Sequence, residues 1–148
     1  MTGVQMAALF AFLHHLAAFV LVAAIAVEFV LIRLPVDAAN ARRLGLADMV
    51  VGISAGVLLV VGLLRVFFFE KGAAFYLHNA AFIAKMALFV AVALLSIYPT
   101  LKFLSWRKGR TDAAAVPAIR RILHLELVGV VLILLCAALM ARGIGFFG

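Results

Sequence analysis

Apolar residues run through this chain in four long blocks, and most charged residues fall between them. The blocks are about Ala7–Ile32, Ala47–Phe69, Tyr76–Leu104 and Ile119–Ala141. Each is long enough to cross the hydrocarbon core of a bilayer as a helix, which takes about 20 residues. The third is long enough to tilt or to run past the membrane surface. The short alternating segments of a membrane β-barrel are absent. The pattern predicts an all-α, integral membrane four-helix bundle, a single transmembrane domain over residues 1–148.

The charge between the blocks predicts orientation. The first connection carries Arg33, Arg42 and Arg43 against Asp37, and the third carries Lys102, Arg107, Lys108, Arg110, Arg120 and Arg121 against Asp112. In a four-helix chain both lie on one side. The other side holds a short N-terminus, Glu70, Lys71 and a tail with Arg142. Basic loops stay cytoplasmic, so both termini are expected on the periplasmic side of a bacterial inner (cytoplasmic) membrane. Trp106 and Tyr98 fall near the cytoplasmic end of the third block, where interfacial aromatics sit.

Composition agrees. The chain is 69% hydrophobic, against about half in a soluble domain, with mean hydropathy +1.30. The net charge of +7 follows from the basic loops and is no nucleic-acid footprint; membrane lipid is the expected surrounding. The N-terminus lacks a basic n-region and an A-x-A cleavage site, so the first block reads as a retained helix. Cys136, the single cysteine, cannot form an intrachain disulfide and reads as a small buried apolar residue. No CxxCH motif offers covalent haem attachment. The sequence also lacks GxSxG, HExxH, P-loop and GxGxxG motifs.

Chemistry enters where ionisable residues interrupt the apolar blocks. Lys85 stands inside HNAAFIAKMALFVAVALLS. A membrane lysine costs about 2.5–3.5 kcal/mol on insertion scales, so it needs a partner or a purpose. His78 lies seven residues earlier, on the same stripe of a continuous helix, roughly 10 Å away along the axis. His14 and His15 are deep in the first block, and Arg65 lies roughly 6 Å from the outer end of the second. These five residues are expected to cluster in the outer half. Imidazole is a haem or metal ligand in membrane bundles. His14 shares its stripe with Ala7, Ala11 and Ala18, a face of small side chains that either packs on a helix or leaves room for a flat cofactor; His15 remains open as the alternative. Lys85 is a ligand only when deprotonated; otherwise it pairs with an anion such as a propionate. His78 at the rim reads first as an interfacial histidine. Glu28, Asp48, His124 and Glu126 fall in the inner half and read first as interfacial salt bridges, with a proton-accessible patch as the alternative. Gly52 and Gly56, at GxxxG spacing, predict close helix packing.

The segments LHHLAAFVLVAAIAVEFVLIR, ARRLGLADMVVG and GLLRVFFFEKGAAFYLHNAAFIAKMALFVAVALLSIYPTLKFLSW resemble a bacterial family of four-helix membrane proteins, domain-of-unknown-function family 2214. The likeness covers nearly the whole chain and implies the fold, with no activity attached. More distantly, the layout is similar to HemJ-type protoporphyrinogen oxidases and CopD-like copper-resistance membrane domains. The HemJ likeness implies haem b and places its essential histidine on His14 or His15, its basic pair on Arg42 and Arg43, and its lysine on Lys85. The chain departs from that pattern at Ile83 and Ala84, where the motif around the lysine, with its histidine, is lost, and in a first helix without tryptophan.

The leading expectation is therefore one haem b in the outer half. His14 or His15 and Lys85 are axial ligands or near neighbours, and Arg65 sits on a propionate. Electrons would pass to or from a small partner or quinone, with a porphyrin substrate under the HemJ likeness. The inner half offers only His124, too few histidines for a second bis-histidine haem. One alternative is a copper-binding or copper-transporting module using His14, His15 and His78 with Met6 or Met86. Another is a non-catalytic scaffold subunit that forms a homo-oligomer through Gly52 and Gly56.

Overall fold

The computed structural model describes residues 2–69 and 72–148. Among them, four helices are long and apolar enough to span a membrane. Helix α1 runs Gly3–Leu31, α2 Ala38–Leu64, α4 Ala80–Arg107 and α5 Val116–Ala141; a short helix, α3, covers Ala73–Leu77. A π-helical turn at Arg65–Phe69 extends α2, and a 3₁₀ turn at Ala113–Ala115 leads into α5. The expectation of an all-α four-span bundle holds. Glu70 and Lys71, counted above among the outer charges, lie outside the described residues.

Local chemistry sets the ends. Thr2 and Gln5 form a capping box on α1. Asp37 accepts the Asn40 amide at 2.7 Å, and Asn40 Nδ2 donates to the Leu31 and Pro35 carbonyls at 2.9 and 3.2 Å. That one side chain ties the end of α1 to the start of α2 and satisfies carbonyls a helix terminus leaves open. Pro117 sits in the first turn of α5, where its missing N–H costs nothing.

α1 packs chiefly on α2, and α4 on α5, so the bundle is two antiparallel hairpins laid together. Large apolar side chains such as Phe19, Val60, Leu94 and Val131 point outward, as expected where the solvent is lipid.

The two ends of the bundle differ. At the end with the basic connections, the loop end, Ile32, Leu44, Phe103, Trp106, Ile119 and Leu123 form a closed core. A second cluster of Leu21, Ala24, Ile25, Val51 and Val130 lies at mid-height. Beyond it, towards the tail end, the hairpins part around a cavity.

Two sequence expectations are corrected. The third block is not one helix. Asn79 N-caps α4, accepting the Phe82 amide at 3.1 Å, and the chain breaks at His78. The C-terminal tail closes the break: Ala80 N donates to the Gly145 carbonyl and Phe147 N to the His78 carbonyl, both at 2.8 Å. Gly145, at φ +93°, lies so close that a Cβ would stand 3.1 Å from Ala81 N. Within the bundle, Gly52 and Gly56 do not mediate contact between helices either, since a Cβ on either would meet nothing within 4 Å. The close approaches are elsewhere: Gly45 under Arg107, Gly129 under Val92 and Gly62 under His14.

Candidate functional site

The cavity lies between the hairpins and is lined from all four long helices. Its volume is about 110 Å³, and its walls are almost wholly apolar: Leu21, Leu58, Phe82, Phe89, Ile133 and Leu134 among them. Two polar side chains face it, His14 from α1 and Lys85 from α4. A second cavity of about 190 Å³ adjoins it towards the tail end, sharing His14, Gly62, Val66 and Lys85 and adding Arg65, Phe75 and Tyr76.

His14 reaches this space because α2 has no side chain in its way. A Cβ built on Gly62 would stand 3.2 Å from His14 Cε1 and 3.5 Å from Nδ1. Ala18, one turn along α1, keeps the wall low beside it. Lys85 is half-buried, and no ion pair for it is found among the described residues. Arg65 is its like-charged neighbour. Arg65 opens the π-helical turn that follows α2; such turns re-aim side chains and recur at functional sites. Half-buried Cys136 stands near enough to Lys85 to interact electrostatically.

Of the five outer residues, the structure brings together His14, Lys85 and Arg65. His15 is exposed and its Nδ1 donates to the Ala11 carbonyl of its own helix at 2.6 Å. The two rings meet edge-on at 6.1 Å, so the pair separates into one inward and one outward imidazole. His78 is exposed too. It caps α3, its Nδ1 donates to the Ala74 carbonyl at 2.7 Å, and its ring leans on Phe147 at 5.9 Å. The helix break removes it from the Lys85 stripe, correcting the seven-residue argument. His14, His15 and His78 thus face three different surroundings. Among the described residues no three His, Cys, Asp or Glu side chains are grouped to hold a metal ion.

The inner group also rearranges. His124 is exposed, 6.3 Å from the Phe29 ring, while Glu28 and Glu126 are almost fully buried. Asp48 accepts from Thr100 Oγ1 at 3.0 Å. The expected interfacial salt bridges to these carboxyls are not found among the described residues; the ion pair formed nearby is Lys102–Asp112 at 3.6 Å.

Sequence reasoning missed Gly62, Phe82 and Thr100 as parts of these sites, while Met86, named as a soft ligand, does line the cavity. Gly62 carried a signal, since it stands three residues before Arg65 in an otherwise bulky run. Thr100 carried none, because its role depends on meeting Asp48 from another helix.

The donor set fits a haem chemically. An imidazole and an amine stand on different hairpins, the walls of the first cavity are apolar, and a guanidinium lies at the wider end. A porphyrin is larger than either cavity alone.

A family described as a predicted membrane protein (DUF2214) matches residues 6–145. No curated protein and no solved structure matches the chain.

Proposed function

The chain belongs to the DUF2214 family of predicted membrane proteins, and from that premise we propose that it binds haem b between its hairpins and exchanges electrons with a small membrane-soluble partner such as a quinone. One observation carries the reading: His14 and Lys85, from α1 and α4, line the same apolar cavity. Haem, when bound, supplies one-electron exchange at a potential set by its axial ligands and the polarity around it.

The chain's own residues have separate tasks. His14 offers a neutral imidazole, held in place by the flat surface of Gly62. Lys85 offers its amine from the opposite hairpin when deprotonated. Arg65 would hold a propionate, since a guanidinium suits a carboxylate by its paired donors. Leu58, Phe82, Phe89 and Ile133 keep water from the iron site. With the tail end taken as periplasmic, the site lies in the outer half of a bacterial inner membrane.

The test is an absorption spectrum of protein purified in mild detergent, before and after dithionite. A Soret band, α and β bands that sharpen on reduction, and a stoichiometric pyridine haemochrome are expected. Colourless protein after expression with a haem precursor would overturn the reading. Lys85→Met should shift or abolish the spectrum; full occupancy with an unchanged spectrum removes lysine from the ligand set.

A further inference from the structure

Three carboxyl groups from three helices lie in the loop-end half of the bundle without converging on one point. Glu28 comes from α1, Asp48 from α2 and Glu126 from α5, and both glutamates are 1% exposed. Glu28 and Asp48 are neighbours, close enough for a hydrogen bond between their carboxyls. Thr100 brings in α4 by donating to Asp48 Oδ1 at 3.0 Å. Glu28 Oε1 and Glu126 Oε1 are buried and make no hydrogen bond among the described residues. Asp48, Ser96, Thr100 and Glu126 line a cavity of about 90 Å³, room enough for water beside several polar groups. It shares Leu21, Phe89, Val130 and Ile133 with the cavity of His14 and Lys85.

The charged groups on each neighbouring element are turned elsewhere. Arg33, beyond the end of α1, lies over the Phe29 ring at 4.4 Å. Arg42 and Arg43 of α2 are exposed, as are Arg120, Arg121 and His124 of α5. On α4, Lys102 pairs with Asp112, Arg107 is exposed with its side chain over Gly45, and Lys85 lines the outer cavity. The groups facing the cluster are its own carboxyls and two neutral hydroxyls.

An ionised carboxylate only accepts hydrogen bonds, so a bond between two carboxyl groups requires a proton on one of them. Buried negative charge without a counter-charge is strongly disfavoured, so a cation accompanies the cluster. A metal ion would need converging ligands, and among the described residues no such group of three exists. The proton is the cation that remains. We propose that Glu28, Asp48 and Glu126 form a proton-binding site, with a proton held between Glu28 and Asp48 and exchanged through the cavity beside Glu126. The site stands on these contacts whether or not the outer cavity takes a haem.

Dicyclohexylcarbodiimide provides the test on the full chain in lipid vesicles. This apolar reagent takes up the proton and the carboxyl oxygen of a protonated acid and rearranges to a stable acylurea; nothing leaves. Mass mapping should place the adduct on Glu28, Asp48 or Glu126, and not on exposed Asp37 or Asp112. Its yield should fall by about tenfold per pH unit above the point of proton release. No adduct within the cluster, or one suppressed by Na⁺, K⁺ or Mg²⁺ at fixed pH, would overturn the proposal, the second result pointing to a metal cation instead. A second measurement needs no variant. Infrared spectra of the native protein at neutral pH should contain a protonated-carboxyl band that moves in D₂O, and its absence would equally overturn the proposal. Where Glu28→Gln folds, that band should weaken.

Discussion

Gly62 is where the geometry of the outer cavity is most exposed to a small perturbation. Gly62→Ala puts a methyl group 3.2 Å from His14 Cε1, closer than carbon atoms rest without strain. Alanine gains about 1 kcal/mol of helix propensity over glycine, so the methyl is close to neutral in stability if the imidazole can tilt. Gly62→Val adds branches that tilting cannot clear. Overpacking of this kind costs about 1–3 kcal/mol, and if the cost falls on the orientation of His14, haem affinity drops about 5- to 150-fold. Gly56 is the control, because a Cβ there meets nothing within 4 Å. The assay is haem titration into the apoprotein of Gly62→Val and Gly56→Val in one detergent, with melting curves alongside. Gly62→Val should weaken binding while Gly56→Val leaves it alone. Equal affinity in the two, with both folded, would refute the claim that Gly62 makes room for a ligand-bearing His14.

Other substitutions separate the sequence-level candidates. His14→Ala should abolish the haem spectrum, whereas His15→Ala should leave it unchanged, since that ring is exposed and bonded to its own helix; optical spectra of the pair decide it. Lys85→Met removes a cation whose membrane cost is about 2.5–3.5 kcal/mol, so the apoprotein should melt higher even as the spectrum changes; a lower melting temperature would indicate that Lys85 holds a structural bond. Asn79→Ala deletes the α4 cap, worth about 1 kcal/mol, and should loosen the tail clasp, seen as faster cleavage near residues 142–148 in limited proteolysis.

Much of the fold was legible because bilayer crossing imposes length and composition on a sequence. The four spans followed from runs of apolar residues, and the loops from arginine and lysine. The break before α4 was missed for a physical reason. His-Asn-Ala-Ala sits within an apolar run, and hydropathy outweighed the capping preference of Asn79. What fixes the break is a tail more than sixty residues away, bonding to His78 and Ala80. The GxxxG pair misled about packing within the bundle in the same way. Spacing marks a smooth strip on one helix, but which strip meets a neighbour depends on rotation about the axis. Gly62 and Gly129 took that role. The site was legible in part. His14 and Lys85 stood out as polar atoms in apolar sequence, and the alanine face pointed to His14 over His15. Their shared cavity, and the nearness of Glu28, Asp48 and Glu126, needed the packing of the hairpins.

The placement of polar groups follows the way the bundle closes. At the loop end, Phe103 and Trp106 fill the space between hairpins, and Asp48 and Glu126 line a small cavity. At the tail end the helices carry Gly62, Ala18 and Ala137 where they line the cavity, and Phe82 and Phe89 stand at its wall. Apolar packing alone would favour filling it, because a cavity forfeits dispersion contacts on every wall. An unfilled space that also admits a lysine sets two unfavourable terms at one place. Either could be relieved by a single residue: a leucine at Gly62 or a methionine at Lys85. On the haem proposal, a nitrogen-ligated, anionic, planar guest would use the space and the charge together.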